Sequence, residues 1–195
     1  MAFTLGDRSR PAARTPTADS PDAGFARDMS VHHEQAVEMS FIVRDRTKNV
    51  DVRRLAYDIA NTQANQRGMM MGWLNLWGLP VSEAGTPPMQ WMGMGMGMDP
   101  STDGALMPGM ATRAQLAALR ELSGRQAEVR YLQLMTAHHK GGIHMAEGCV
   151  HLCKVPTERK FAQGMVTSQQ SEVRLMSDML KARGASPTAA PGAGS

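Results

Sequence analysis

The sequence reads MSVHHEQAVEM at residues 29–39 and MTAHHKGGIHM at residues 135–145. In both stretches a Met precedes a His-His pair and a second Met follows it at the same spacing. At 100° per residue these side chains fall within an arc of about 120°, the width of the stripe that a helix turns toward a protein core. The two stretches therefore predict two helices, each with a buried face of thioethers and imidazoles.

Both stretches belong to a longer internal repeat with a fixed offset of 106 residues. The identities continue without a gap, which is the signature of a duplicated structural unit. They include Ala56 with Ala162, Gln63 with Gln169, Met70 with Met176, Leu74 with Leu180 and Gly78 with Gly184. Each unit is predicted to be a helical hairpin. Because one hairpin cannot bury its apolar face alone, two hairpins predict an all-α four-helix bundle.

Changes in composition mark the boundaries of the repeats. The two ends of the chain are rich in Pro and small residues without apolar periodicity, and they are predicted to be a flexible leader and a flexible tail. The predicted organisation is a leader at 1–23, a duplicated domain at 24–184 and a tail at 185–195. The domain divides into repeat one at 24–78, a Met- and Gly-rich connecting linker at 79–111 and repeat two at 112–184.

Capping residues predict where individual helices start and stop. Asn49 suits the N-cap of the second helix in repeat one, and Pro156 suits the first position of the second helix in repeat two. Gly78 and Gly184 fall where glycine commonly ends a helix. A further short helix is predicted at 112–122.

Composition and motifs exclude several functions. The net charge is +3, aromatic residues make up 5% of the chain, and there is no block of basic residues, so nucleic-acid binding is not expected. No stretch has the length and hydropathy of a membrane span. The sequence also lacks a Ser/His/Asp arrangement, an acid pair with evident acid/base geometry and a phosphate-binding glycine loop, so we do not expect an enzyme.

The repeated stripes instead indicate metal binding. A buried polar group without a partner costs about 1–3 kcal/mol, and metal ligation is a simple way to satisfy the nitrogens of four imidazoles. Imidazole with thioether favours Cu(I), and Cu(II) or Ag(I) are further candidates, whereas acid-rich sites favour iron. The acids near the first stripe are not repeated in the second. The predicted metal ligands are Met29, His32, His33, Met39, Met135, His138, His139 and Met145.

The linker supplies a second set of thioethers. Met alternates with Gly from Met92 to Met98, a pattern that suits neither a helix nor a strand. We expect a mobile arm that gathers Cu(I) or Ag(I) and passes it to the histidines; the alternative is an apolar flap over the bundle. The candidate ligands in the linker are Met92, Met94, Met96, Met98, Met107 and Met110.

Five further residues near the stripes are candidates for the site. Cys149 and Cys153 continue the second stripe and suit soft ligands, a disulfide or two small buried residues. His144 and His151 lie off the stripe and are expected at the surface, with a peripheral metal site as the alternative. Asp28, one turn before His32, is predicted to orient that imidazole through a hydrogen bond.

The blocks GFARDMSVHHEQAVEMS at 24–40 and YLQLMTAHHKGGIHMAEG at 131–148, each followed by a second helix, resemble domain-of-unknown-function family 305. The resemblance covers about residues 24–184. It implies a ferritin-like helical bundle, and the family includes Met/His-rich periplasmic copper-binding proteins of the CopM type. Because family members usually follow a signal peptide or an N-terminal membrane anchor, the resemblance implies an extracytoplasmic protein whose membrane contact is limited to an anchor absent from this chain.

Together these observations predict an extracytoplasmic copper-binding protein for metal tolerance, storage or delivery. Its expected partners are metal ions and a protein that donates or accepts copper. The alternatives are a ferritin-like metal-dependent oxidoreductase and a metal-free structural or interaction bundle.

Overall fold

The computed structural model describes residues 15–94 and 103–187, and this part of the chain folds into helices without any strand. The all-α prediction is therefore confirmed. A short 3-10 turn, Gln90–Met92, lies in the linker. The helices are α1 (Pro21–Arg46), α2 (Val50–Leu76), α3 (Arg113–Glu121), α4 (Gly124–Leu152) and α5 (Pro156–Lys181).

The predicted capping residues are found at the helix ends. The Asn49 side chain accepts the backbone N–H of Val52 at 3.1 Å at the start of α2, and Pro156 is the first residue of α5. Gly78 and Gly184 follow α2 and α5 with φ values of +68° and +61°, in the left-handed region that favours glycine.

The first helix begins earlier than the composition of the chain predicts. It starts at Pro21, inside the predicted leader, because the Ser20 hydroxyl accepts the backbone N–H of Ala23 at 3.2 Å and proline suits the first helical position. The rest of the predicted leader (1–14) and most of the predicted tail (188–195) lie outside the described residues.

Helices α1 and α4 run antiparallel through the centre of the molecule, with α2 packed along α1 and α5 along α4. At one end of the central pair, Asp22 accepts the backbone N–H groups of Lys154 and Val155. At the other end Thr47 donates to Glu128 at 2.6 Å. The start of each central helix therefore lies beside the end of the other.

The interior divides into two apolar clusters along the central helices. The first core cluster contains Met39, Val43, Tyr131 and Met135, and the second core cluster contains Met29 and Met145 together with linker residues. The histidine pairs lie between them in sequence on both helices. Within the described residues, no helix has both the length and the apolar character needed to cross a membrane.

Candidate metal centre

All eight predicted ligands on the two stripes are buried, with at most 1% of any of them exposed. His32 and His138 occupy the same position in the two repeats, one on each central helix. Their rings stack with centroids 3.8 Å apart and planes inclined at 33°. The centroids of the His138 and His139 rings are 6.3 Å apart. The four imidazoles therefore meet where the two hairpins join.

Every one of the four Nε2 atoms faces an oxygen. His32 Nε2 lies 3.1 Å from the carbonyl oxygen of Pro108, and His138 Nε2 lies 2.9 Å from the carbonyl oxygen of His32. His33 Nε2 is 2.8 Å from Gln66 Oε1, and His139 Nε2 is 2.8 Å from Glu172 Oε2. These oxygens can only accept, so each Nε2 donates a proton and each neutral ring carries its lone pair on Nδ1.

The four Nδ1 atoms are buried and have no hydrogen-bond partner within the part of the chain that the structure describes. Buried polar atoms in native proteins are rarely left unpaired. Four such atoms at one junction, all in the tautomer that a metal requires, fit a set of metal ligands better than a set of packing residues.

Burial also keeps His32, His33 and His138 neutral. It lowers the pKa of His32 to about 4 and that of His33 to about 3, and it lowers the pKa of His138 well below its ordinary value. Neighbouring imidazoles lower each of these pKa values further, because a second positive charge nearby is unfavourable. A neutral ring is the form that binds a metal.

The described methionines concentrate on one side of the histidines. Met39 and Met135 belong to the first core cluster, which has one further buried Met. Met29 and Met145 belong to the second core cluster, which holds most of the other buried thioethers. Its remaining methionines are Met70, Met89, Met107 and Met165, all buried, and Met92 and Met110, partly buried. The described part of the linker thus adds sulfur to the interior.

The linker also closes over the histidines. Gln35 donates to the carbonyl oxygen of Ala111 at 2.9 Å and accepts the N–H of Ala111 at 2.6 Å. A Cβ on Gly141 would lie 1.8 Å from the carbonyl oxygen of Pro108, so only glycine allows this approach to α4. The backbone at 107–111 therefore lies against both central helices and supplies the acceptor for His32.

The prediction for Asp28 is wrong. Its carboxylate accepts the backbone N–H of Met89 at 2.7 Å and the indole N–H of Trp91 at 2.9 Å, so it attaches the linker to α1 and does not orient His32. Burial raises the pKa of Asp28, and these two hydrogen bonds partly offset the effect.

The remaining candidates divide into three groups. Cys149 and Cys153 form a disulfide, the second of the three alternatives, so in this state neither sulfur is a thiolate ligand. His144 and His151 are exposed, as expected, and no described group of three His, Cys, Asp or Glu ligand atoms includes them. Met94 is exposed. The predictions for Met96 and Met98 lie outside the described residues.

Two acidic residues next to the first stripe pair with arginines and do not contact the imidazoles. Glu34 forms a surface ion pair with Arg67 at 3.2 Å, and Glu38 pairs with Arg120. Glu172 is the exception, since it bonds to His139. Across the described residues no three imidazole nitrogens lie within 4.8 Å of one another, so a metal here requires thioethers or other donors beside the imidazoles.

Several residues of the centre are not evident from the stripe pattern. Gln66, Glu172 and Pro108 set the tautomers of the imidazoles. Gln63 and Gln169 are buried, and their Oε1 atoms have no partner among the described residues. A Cβ on Gly142 would lie 2.6 Å from Gln169 Oε1, so this glycine admits the amide to the central helix. The internal repeat is the sequence signal that could identify Gln63 and Gln169, because these two residues occupy the same position in the two repeats.

The fold and the site define a class of duplicated all-α proteins in which two Met-x-x-His-His helices pair through their histidines. The model of one family, described as domain of unknown function (DUF305), matches residues 22–180. The chain belongs to the DUF305 family, which confirms the resemblance found in the sequence.

Solved structures of several DUF305 proteins are similar to this chain. A DUF305 protein from Streptomyces coelicolor, described as a candidate secreted protein, is 63% identical with a TM-score of 0.82, over 89% of this chain and all of its own (100%). A DUF305 fragment from Deinococcus radiodurans is 30% identical with a TM-score of 0.67, over 83% of this chain and 96% of its own. CopM in the Cu(I)-bound form shares the fold at 20% identity with a TM-score of 0.62, over 83% of this chain and 96% of its own. No curated protein matches the chain.

Proposed function

We propose that this protein binds copper outside the cytoplasm, preferentially as Cu(I), and serves in copper tolerance, storage or delivery. The observation that carries the proposal is the set of four buried Nδ1 lone pairs, contributed by His32, His33, His138 and His139, where the two repeats meet. Neutral imidazole with thioether is a soft donor set, which Cu(I) prefers over iron or magnesium.

Three further observations support the proposal. The second core cluster places many thioethers beside the histidine stripe. The Cys149–Cys153 disulfide is typical of an oxidising compartment, and the Streptomyces coelicolor relative is described as a candidate secreted protein. CopM, a distant relative, has been solved with Cu(I) and with Cu(II).

A competition titration under anaerobic conditions tests the proposal. The metal-free protein competes for Cu(I) with bathocuproine disulfonate, a coloured Cu(I) chelator. Combining His32→Ala, His33→Ala, His138→Ala and His139→Ala should weaken Cu(I) binding by at least about 100-fold, since loss of even an outer partner costs about 10- to 100-fold. An affinity equal to that of the unaltered protein would overturn the proposal.

The exposed histidines provide the matched control. His144→Ala with His151→Ala removes the same type of side chain from exposed positions of α4, the helix that also carries His138 and His139, and should leave the affinity unchanged. If the quadruple variant does not fold, His33→Ala and His139→Ala are measured singly, and each should still weaken binding.

We further propose that the Met/Gly segment from Met92 to Met98 delivers Cu(I) to the centre. Replacing Met94, Met96 and Met98 with Leu keeps the apolar character of the segment but removes its sulfur. The rate of Cu(I) transfer from a chelator should fall while the equilibrium affinity stays constant. An unchanged rate would instead support the apolar flap.

A further inference from the structure

A second group of metal-ligating side chains lies where α4 ends and α5 begins. Cys149 is in the last turn of α4, Cys153 follows that helix, and Glu158 is in the first turn of α5. All three residues are buried, and their two Sγ atoms and one carboxylate oxygen lie within 4.8 Å of one another. Only a short turn separates the two helices, and Asp22 of α1 accepts two backbone N–H groups of that turn.

The Glu158 carboxyl group is not explained by packing. The residue is fully buried, and no N–H donor among the described residues reaches either of its oxygens. Its acidic neighbour, Asp22, already accepts the backbone N–H groups of Lys154 and Val155. Burial, followed by the nearby Asp22, raises the pKa of Glu158 to about 9. A buried carboxyl group without a donor or a cation is destabilising, so the fold retains it at a cost.

Repeat one shows that the fold does not need these residues. The positions equivalent to Cys149, Cys153 and Glu158 are occupied by Val43, Thr47 and Val52, which are also buried. The same helix end, turn and helix start are therefore built in repeat one from side chains that bind no metal. Repeat two has ligand-type residues at all three positions, and they converge on one point.

We propose that the reduced form of this cluster binds one divalent ion of the zinc class through the two thiolates and the Glu158 carboxylate. Two thiolates and a carboxylate are typical zinc ligands, and tetrahedral coordination requires ligand atoms about 3.5 Å apart. Opening of the S–S bond lets the two sulfurs separate toward that spacing. This cluster shares no residue with the Met/His centre, so the inference does not rest on the copper proposal.

The disulfide controls access to this site. Reduction by a dithiol transfers two electrons and two protons to the S–S bond, which gives two thiols and converts the dithiol to its own disulfide. Binding of the ion then releases the two thiol protons and the proton of the Glu158 carboxyl group. Both sulfurs are buried, so the exchange requires the turn between α4 and α5 to open. Exchange with a second disulfide, which accepts the two electrons and becomes a dithiol, restores the Cys149–Cys153 bond and releases the ion.

Cobalt provides the test, because Co²⁺ occupies zinc sites and absorbs strongly when thiolates bind it. The full chain, free of copper, is reduced with a phosphine, desalted anaerobically and titrated with Co²⁺. We expect one Co²⁺ per chain with a thiolate-to-cobalt charge-transfer band, and no such band from the disulfide form. Absence of the band from the reduced protein would overturn the proposal.

Substitutions test whether the two cysteines and Glu158 each take part in Co²⁺ binding. Cys149→Ser with Cys153→Ser should abolish the band, and Glu158→Gln should weaken Co²⁺ binding by at least about ten-fold. Glu147→Gln makes the same acid-to-amide change at an exposed position of α4 and should have no effect. Equal affinities for the Glu158→Gln and Glu147→Gln variants would exclude the carboxylate as a ligand. His33→Ala should keep the cobalt band, so failure here is distinguishable from failure of the copper proposal.

Discussion

In repeat one the imidazole of His33 donates to the amide oxygen of Gln66, whereas in repeat two the imidazole of His139 donates to the carboxylate of Glu172. The donor, the acceptor position and the distance of 2.8 Å are the same, but the charge of the acceptor differs. Duplication thus preserved the hydrogen bond of the imidazole and changed the charge of its acceptor. The two repeats also differ around the turn that follows their first helix. Repeat one has Val43, Thr47 and Val52 there, whereas repeat two has the potential ligands Cys149, Cys153 and Glu158.

The largest effect is expected from acid, at the junction between the repeats. Burial lowers the pKa of His33 to about 3, below the ordinary value of 6.5. As the pH falls, His33 therefore binds a proton in the unfolded chain before it does so in the folded protein. The contribution of His33 to the free energy of unfolding is fully present above pH 6.5 and is lost as the pH falls toward 3. For His33 alone, the loss between pH 7 and pH 4.5 should be on the order of 3 kcal/mol in the metal-free protein.

This loss is measured as a difference between variants, because Glu158 acts in the opposite direction over the same range. Urea unfolding of the unaltered protein and of His33→Gln at pH 7 and pH 4.5 gives the contribution of His33. The variant should lose less stability on acidification, whereas His144→Gln should match the unaltered protein. Parallel behaviour of all three proteins would contradict buried, neutral imidazoles.

The next prediction concerns Glu158, which replaces Val52 at the same position of the repeat. The pKa of Glu158 is raised to about 9 from an ordinary value of 4.5. The contribution of Glu158 to the free energy of unfolding is therefore fully present below pH 4.5 and is lost as the pH rises toward 9. Glu158→Gln removes this dependence. Relative to the unaltered protein, the variant should gain on the order of 2 kcal/mol between pH 5 and pH 7, measured by urea unfolding. A gain that does not depend on pH would contradict the buried carboxyl group.

A third comparison concerns the linker, which bonds to Gln35 in repeat one and touches the bare backbone of Gly141 in repeat two. Gly141→Ala places a Cβ against the carbonyl oxygen of Pro108 and should cost about 2 kcal/mol through overpacking. Gly164→Ala, in α5, meets no heavy atom within 4 Å and should instead stabilise the helix by about 1 kcal/mol. Thermal unfolding of both variants measures the contrast, and equal shifts would show that the linker does not lie against α4.

The sequence carried enough information to predict the helices and the buried stripes. The spacing of Met29, His32 and His33 has a helical period, and the repeat of that spacing shows that the pattern is under constraint. Local chemistry predicted the N-cap at Asn49 and the first helical residue at Pro156, because both depend only on neighbouring backbone groups. These features are short-range, and they are confirmed.

The partners of the stripe residues could not be predicted in the same way. Gln66 and Glu172 are 33 residues from the histidines that they contact, on the second helix of each hairpin. Pro108 acts through its carbonyl oxygen, which no side-chain motif can reveal. Asp28 was assigned to His32 from helical spacing alone, but the spacing cannot show that the linker would take the carboxylate. Tertiary packing decides each of these contacts.

The smallest effect tests the difference between the two histidine partners. Because a carboxylate is a stronger acceptor than an amide, Glu172 should make His139 a better ligand than Gln66 makes His33. Glu172→Gln should therefore weaken Cu(I) binding by about ten-fold, and Gln66→Glu should strengthen it. Chelator competition measures both variants, and opposite signs or no change would remove the distinction between the repeats.

The central claim is that the buried Nδ1 atoms of the four histidines bind metal together with thioethers or other donors, and ¹⁵N NMR of the histidine rings tests it most directly. In the metal-free protein the four buried rings should show protonated Nε2 and unprotonated Nδ1, and His144 and His151 supply two exposed rings for comparison. Addition of Ag(I), a diamagnetic substitute for Cu(I), should shift the buried Nδ1 resonances and leave both exposed rings unchanged. Protons on Nδ1, or Nδ1 resonances that do not move when silver binds, would contradict the account.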